Sequence, residues 1–132
     1  MTTLAEVRDF LKSFNLFSAY GIGRIDDAKK NVLGVFNLGT GDRNKCIGPQ
    51  KCEVLPVSLL VHGDTNKAST EQLANSLYEH LGSLIVGNNE YIGSKKLYYA
   101  ELRQDRPVDV DAGDNKIYEY VIEVILYIEK EV

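Results

Sequence analysis

The chain has 132 residues, close to the commonest size of a single domain and long enough to bury one hydrophobic core, so one α+β domain spanning residues 1–132 is expected. Hydrophobic residues at 44% and charged residues at 26% exclude a collagen-like, coiled-coil or disordered chain. A net charge of -4 leaves no cationic footprint of the kind that grips nucleic acid. No apolar run approaches the roughly 20 residues that span a bilayer, and residues 1–14 lack the basic start and apolar centre of a secretory signal. These features predict a chain made and kept in a cytoplasm, with no membrane partner.

In chain order, Thr3 and Glu6 have the spacing of a capping box, and Leu4, Val7, Phe10, Leu11 and Phe14 recur at helical intervals. An amphipathic helix over residues 3–14 follows. Residues 19–25 and 31–38 are rich in β-branched and aromatic side chains around a polar turn at 26–30, which predicts two strands joined as a hairpin. Residues 39–51 hold three glycines, one proline and mixed charge, a stretch long enough to suggest a functional loop. Its charged side chains Asp42, Arg43, Lys45 and Lys51 are the candidate oligomer or partner contacts, placed to set register more than affinity.

The strand pattern resumes over 53–62, with Leu55, Val57, Leu59 and Val61 on one face and Pro56 confining its early part to an edge or a bulge. A second helix is predicted over 67–81, its apolar stripe formed by Ala68, Leu73, Ala74, Leu77, Tyr78 and Leu81, its exposed side by Glu71, Gln72, Asn75 and Glu79, and its end closed by Gly82. After a turn at 87–89, residues 97–104 read as a strand stopped by Pro107. A polar turn at 109–116 leads into the last strand, 117–128. There Tyr118, Tyr120, Ile122, Val124, Leu126 and Ile128 share one face and Glu119, Glu123 and Glu129 punctuate the other. The resulting order implies an α+β fold, a mostly antiparallel sheet with two helices packed on one face.

Several features invite a chemical reading. Gly21-Ile22-Gly23-Arg24 is a fragment of a dinucleotide fingerprint, but no helix is predicted after it, so it reads as a strand or turn. Asp105, Asp109, Asp111 and Asp114 gather beside a glycine without the spacing of a calcium loop and read as a solvated turn. Cys46 and Cys52 are expected to be free structural thiols, with a local disulfide as the second reading. His62 and His80 have no recognisable nucleophile beside them in sequence. Tyr91, Tyr98, Tyr99, Tyr118, Tyr120 and Tyr127 read first as strand packing and second as a binding face. No catalytic, cofactor-binding or metal residue is assigned, and a non-enzymatic role is expected.

The run Val57-Ser58-Leu59-Leu60-Val61-His62-Gly63 leads into Gln72-Leu73-Ala74-Asn75-Ser76-Leu77-Tyr78-Glu79-His80-Leu81, then Arg106-Pro107-Val108-Asp109 and Tyr118-Glu119-Tyr120-Val121-Ile122. This succession resembles the minor capsid and tail terminator proteins of tailed bacteriophages and prophages, over about residues 52–130 and more loosely the first helix. The resemblance implies a virion subunit, made in the host bacterial cytoplasm, that forms a hexameric ring on the tail end. Such a ring stops tail-tube growth and joins the tail to the head, with the tail-tube protein and head connector proteins as partners. DNA would pass through it without specific binding. A small oligomeric ligand-binding or regulatory α+β domain is the alternative that the same composition allows.

Overall fold

The computed structural model describes residues 1–39, 52–84, 90–110 and 116–130. Two helices and seven strands follow the chain order α1 (Leu4–Lys12), β1 (Ala19–Ile22), β2 (Val32–Asn37), β3 (Cys52–His62), α2 (Lys67–Gly82), β4 (Tyr91–Ile92), β5 (Lys95–Leu102), β6 (Val108–Val110) and β7 (Glu119–Glu129). The strands form one mostly antiparallel sheet in the order β1-β2-β3-β7-β5-β4, with β6 also paired to β7. The α+β architecture with both helices on one face is therefore present. The loop expected at 39–51, the turn at 87–89 and Asp111 and Asp114 lie wholly or almost wholly outside the described residues.

Strand β7 organises the sheet. It pairs with β3 from Cys52↔Glu129 to His62↔Glu119 on one side, and with β5 and then β6 on the other. Between β5 and β6 the side chain of Gln104 takes over the ladder: its Nε2 donates to Val121 O at 2.7 Å and its Oε1 accepts from Glu123 N at 3.1 Å. A side-chain amide thus satisfies backbone groups that a break between strands would leave unpaired. The periodicity in the sequence gives the faces correctly. Leu33 and Val35 of β2, Val57, Leu59 and Val61 of β3, and Ile122, Val124, Leu126 and Ile128 of β7 all lie in the core beneath the helices. Each contributes roughly 1.5–3 kcal/mol by leaving water.

Helix α1 starts with the predicted capping box: Glu6 N donates to Thr3 Oγ1 at 3.2 Å and Thr3 N donates to Glu6 Oε1 at 3.0 Å. Just before it, Thr2 donates from its backbone N (3.0 Å) and hydroxyl (2.7 Å) to the Glu53 carboxylate, tying the helix entry to the start of β3. Val7, Phe10 and Leu11 face the core. The helix touches β1 and β2 near one end of the strand order and β4 at the other, so the sheet curls around it. Helix α2 covers the middle of the sheet, over β3, β5 and β7.

Five expectations need correction. Strands β1 and β2 run parallel, Ala19↔Val32 to Ile22↔Val35, and do not form a hairpin. Residues 23–31 carry the chain back across the face opposite the helices, where Ile25 sits over Gly34: a Cβ built on Gly34 would lie 2.7 Å from Ile25 Cγ2. Periodicity fixes the faces of a strand but not its direction. The helix 67–81 runs through Gly82 to a right-handed cap at Ser83, so glycine does not end it. In its stripe Ala68 is exposed and Thr70 is buried instead. Thr70 lies so close to Gly63 that a Cβ on Gly63 would meet Thr70 Oγ1 at 2.3 Å. The hairpin β4–β5 and the short β6, in the span expected to be a turn, are additional strands.

The fifth concerns Cys52, which is disulfide-bonded and not a free thiol. Cys46, the only other cysteine of the sequence, lies outside the described residues. The two are close in sequence, so the chain-entropy cost opposing a bond between them is small.

Pro56 is an instructive middle case. It occupies an inner strand, paired in register with Ile125, yet its carbonyl accepts from Leu38 N at 3.2 Å on the β2 side. The N and O of one residue point to the same side of a strand, so the N–H that proline lacks is also on that side. There β2 has already ended at Asn37, opposite Val57. The ladder to β7 loses nothing, and the early part of β3 is an edge toward β2 only.

Candidate assembly surfaces

The charged residues singled out from the sequence, Asp42, Arg43, Lys45 and Lys51, all lie outside the described residues. Two other surfaces are built by the described fold. The first surrounds β1, the end strand of the sheet. Phe17 and Tyr20 meet there edge to face, ring centroids 5.8 Å apart, and the Tyr20 hydroxyl accepts from Phe17 N at 3.3 Å. A cleft of about 280 Å³ on one side of the strand is bordered by Arg8 and Lys12 of α1. Another of about 420 Å³ on the other side is bordered by Arg24, Lys29 and Asp26. Four cations and one carboxylate thus rim an aromatic edge; Asp9, beside Arg8, accepts from its Nε at 3.1 Å.

The second surface is a cleft of about 420 Å³ between α2 and the β5–β6 connection. Helical spacing puts Glu71, Asn75 and Glu79 on one exposed stripe of α2 facing Asp105 and Arg106 across the cleft. Tyr78, Pro107 and Tyr120 form its apolar lining. The connection is held by Tyr78, whose hydroxyl donates to Gln104 O. Tyr120 donates to Glu71 Oε2 at 3.4 Å. Burial pushes the Tyr120 phenol above its ordinary range, and the neighbouring Glu71 carboxylate adds to the shift. Three carboxylates against one guanidinium make this surface acidic, the converse of the β1 surface.

Nearby, the start of α2 is fixed by polar contacts. Asn66 caps it by accepting from Ser69 N at 3.1 Å, and Asp64 accepts from Asn66 N at 2.8 Å and from Ser69 Oγ at 3.0 Å. The backbone donor at Asn66 holds the Asp64 carboxyl below its ordinary range, with the two hydroxyls and Lys30 acting in the same direction against some desolvation. Lys67 reaches across to Asp109 at 2.9 Å, so Asp109, one of the clustered aspartates, serves as an ion-pair partner.

The remaining singled-out residues have structural roles. Gly21 and Gly23 end β1 in a turn: a Cβ on Gly21 would lie 2.2 Å from Arg24 O, and Gly23 has φ +72°, so the glycines serve the backbone. His80 is exposed in the last turn of α2, its Nδ1 2.9 Å from Ser76 O and its ring 5.2 Å from that of Phe14. The tyrosines divide. Tyr120 and Tyr127 are buried, while Tyr91, Tyr98 and Tyr99 are exposed on the β4–β5 hairpin at the far end of the sheet. A register shift between Leu97 and Tyr99 causes this, leaving Tyr98 and Tyr99 both outside the core.

His62 is 1% exposed, on the face away from the helices, with Nδ1 2.7 Å from Glu119 Oε2 and Nε2 3.1 Å from Asp27 O. This pairing is invisible in the sequence, because it depends on the β3–β7 register that sets His62 opposite Glu119. No known protein-family model matches the chain, and no curated protein matches it. Among the described residues no helix is long and apolar enough to cross a membrane, and no group of three or more His, Cys, Asp or Glu side chains is placed to hold a metal ion.

Proposed function

We propose that the chain is a structural subunit of a tailed-phage virion, a tail terminator or minor capsid protein that assembles head to tail into a ring and joins the tail to the head. The observation that carries the assembly is the pairing of two unlike surfaces on one subunit. The cationic, aromatic edge at β1 and the acidic cleft between α2 and the β5–β6 connection are complementary in charge. A closed ring needs a heterologous contact of this kind, one patch meeting a different patch on the next copy, and complementary charge sets its register and speeds its formation. The phage assignment rests on the resemblance of the β3–α2 run and the β6–β7 residues to that family. A net charge of -4 suits a ring through which DNA slides without being held.

A charge-swap experiment tests the assembly. One chain carries Arg8→Glu and Lys12→Glu; a second carries Glu71→Lys and Glu79→Lys. By native mass spectrometry, and by negative-stain microscopy with tail tubes, the wild type is expected to form hexameric rings, free or capping the tubes. Each variant alone is expected to remain monomeric, because the net charges of its two surfaces then have the same sign. An equimolar mixture is expected to restore rings of alternating chains. Rings unaffected by either swap would move the contact elsewhere on the subunit. A wild type that stays monomeric with and without tubes would overturn the ring.

A further inference from the structure

The His62 ring links three parts of the sheet: its own strand β3, Glu119 on β7, and the carbonyl of Asp27 on the crossover between β1 and β2. Both of its contacts are with acceptors. A backbone carbonyl can only accept, so Nε2 must carry a proton, and an ionised carboxylate can only accept, so Nδ1 must carry one as well. A neutral imidazole has a single N–H. The two hydrogen bonds therefore require one more proton than a neutral histidine and an ionised glutamate hold together. It resides on the ring as imidazolium or on Glu119 as a carboxylic acid.

We propose that the His62–Glu119 pair holds this extra proton in the folded chain, and that losing it releases the 23–31 crossover and loosens the edge strand β1. The inference does not depend on the ring assembly proposed above. Three backbone hydrogen bonds flank the crossover: Asn31 N donates to Gly63 O at 2.9 Å at its far end, and Ser18 N and Gly23 N donate to Asn31 O and Val35 O, both at 2.9 Å, at its two sides. The charged residues on the elements next to the ring are Glu119 on β7, Asp26, Asp27, Lys29 and Lys30 on the crossover, and Asp64 just after β3. Strand β2 places Val32 opposite His62, and β6 places Val110 opposite Glu119, so neither strand sets a charge in register with the pair. With the ring almost fully enclosed, a nitrogen that loses its proton while facing a carboxylate has no water to turn to.

The sign follows from proton linkage. The clasp needs a proton bound in the folded chain, so by linkage its contribution falls as pH rises.

Two measurements test this. Nitrogen-15 and carbon-13 NMR of the wild type at pH 7 is expected to show either both His62 ring nitrogens protonated or Glu119 as a carboxylic acid. One protonated ring nitrogen beside an ionised Glu119 would overturn the proposal without recourse to any variant.

The second is hydrogen exchange of the Ser18, Gly23 and Asn31 amides, expressed as protection factors to remove the intrinsic pH dependence. In the wild type their protection is expected to fall with rising pH, by up to about tenfold per pH unit, the limit for one linked proton. The amides of Leu59 and Ile122, in the centre of the sheet, serve as the internal control. In Glu119→Gln the side-chain amide can donate to an unprotonated Nδ1 while Nε2–H still reaches Asp27 O. The clasp is then satisfied without the extra proton, and the pH dependence is expected to vanish. Equal pH dependence in the two proteins would also overturn the proposal.

Discussion

The two faces of this one sheet are built on different rules. Beneath the helices, Leu33, Val35, Val57, Leu59, Val61 and Ile122 are aliphatic and fully enclosed, and their stabilisation comes from area removed from water. On the opposite face, enclosure is achieved with polar partners. His62 is clasped by Glu119 and Asp27, and the Tyr127 hydroxyl donates to Glu101 at 2.7 Å. Val32, Ile125 and Tyr127, with Pro56, give that face apolar burial. A face covered by helices can be generic in its chemistry, because any well-fitting aliphatic side chain will serve. A face covered by a loop and by hydrogen bonds must be specific, since each buried polar group needs its own partner.

That contrast predicts a graded set of losses in stability. The largest belongs to the helix-covered face: Leu59→Ala removes a fully enclosed side chain from the middle of β3 and is expected to cost about 2–5 kcal/mol in denaturant unfolding. A loss below 1 kcal/mol would mean that this core collapses around cavities more readily than its enclosure suggests. Next is Gly63→Ala, also on the helix side, where the added methyl meets the Thr70 side chain of α2. Overpacking there is expected to cost about 1–3 kcal/mol, and the double variant with Thr70→Ser, which removes one methyl, is expected to recover part of it. The smallest is Tyr127→Phe on the opposite face. It deletes one hydroxyl and its bond to Glu101, with an expected cost of about 0.5–1.5 kcal/mol. If it costs more than Gly63→Ala, the ranking of the faces is wrong.

Much of the helix-covered face is legible in the sequence. The alternation in residues 53–62 and 117–128 identified the inward residues of β3 and β7, and Thr3 with Glu6 marked the start of α1. These are local signals, repeated over several residues, with one buried face to satisfy. The opposite face was much less legible. Glu119 appeared as one of several acids punctuating β7, and nothing nearby in sequence distinguishes it from Glu123. Its role beside His62 follows from register. The same holds for both assembly surfaces: Arg8 and Arg24 border one edge only because β1 lies between α1 and the crossover, and Glu79 and Asp105 line one cleft only because the β5–β6 connection lies beside α2.

The sequence by itself determined the α+β class, the positions of both helices and of the long strands, and which side chains of those strands point inward, because periods of 2.0 and 3.6 residues are properties of the local backbone. Tertiary structure alone decided that β1 runs parallel to β2, that β4 and β6 exist as strands, and that Pro56 is tolerated in an inner strand just past the end of β2. It also decided that His62 meets Glu119, 57 residues further along the chain. Direction, register and partnership depend on how distant segments share one buried volume, and no short stretch of sequence contains that information.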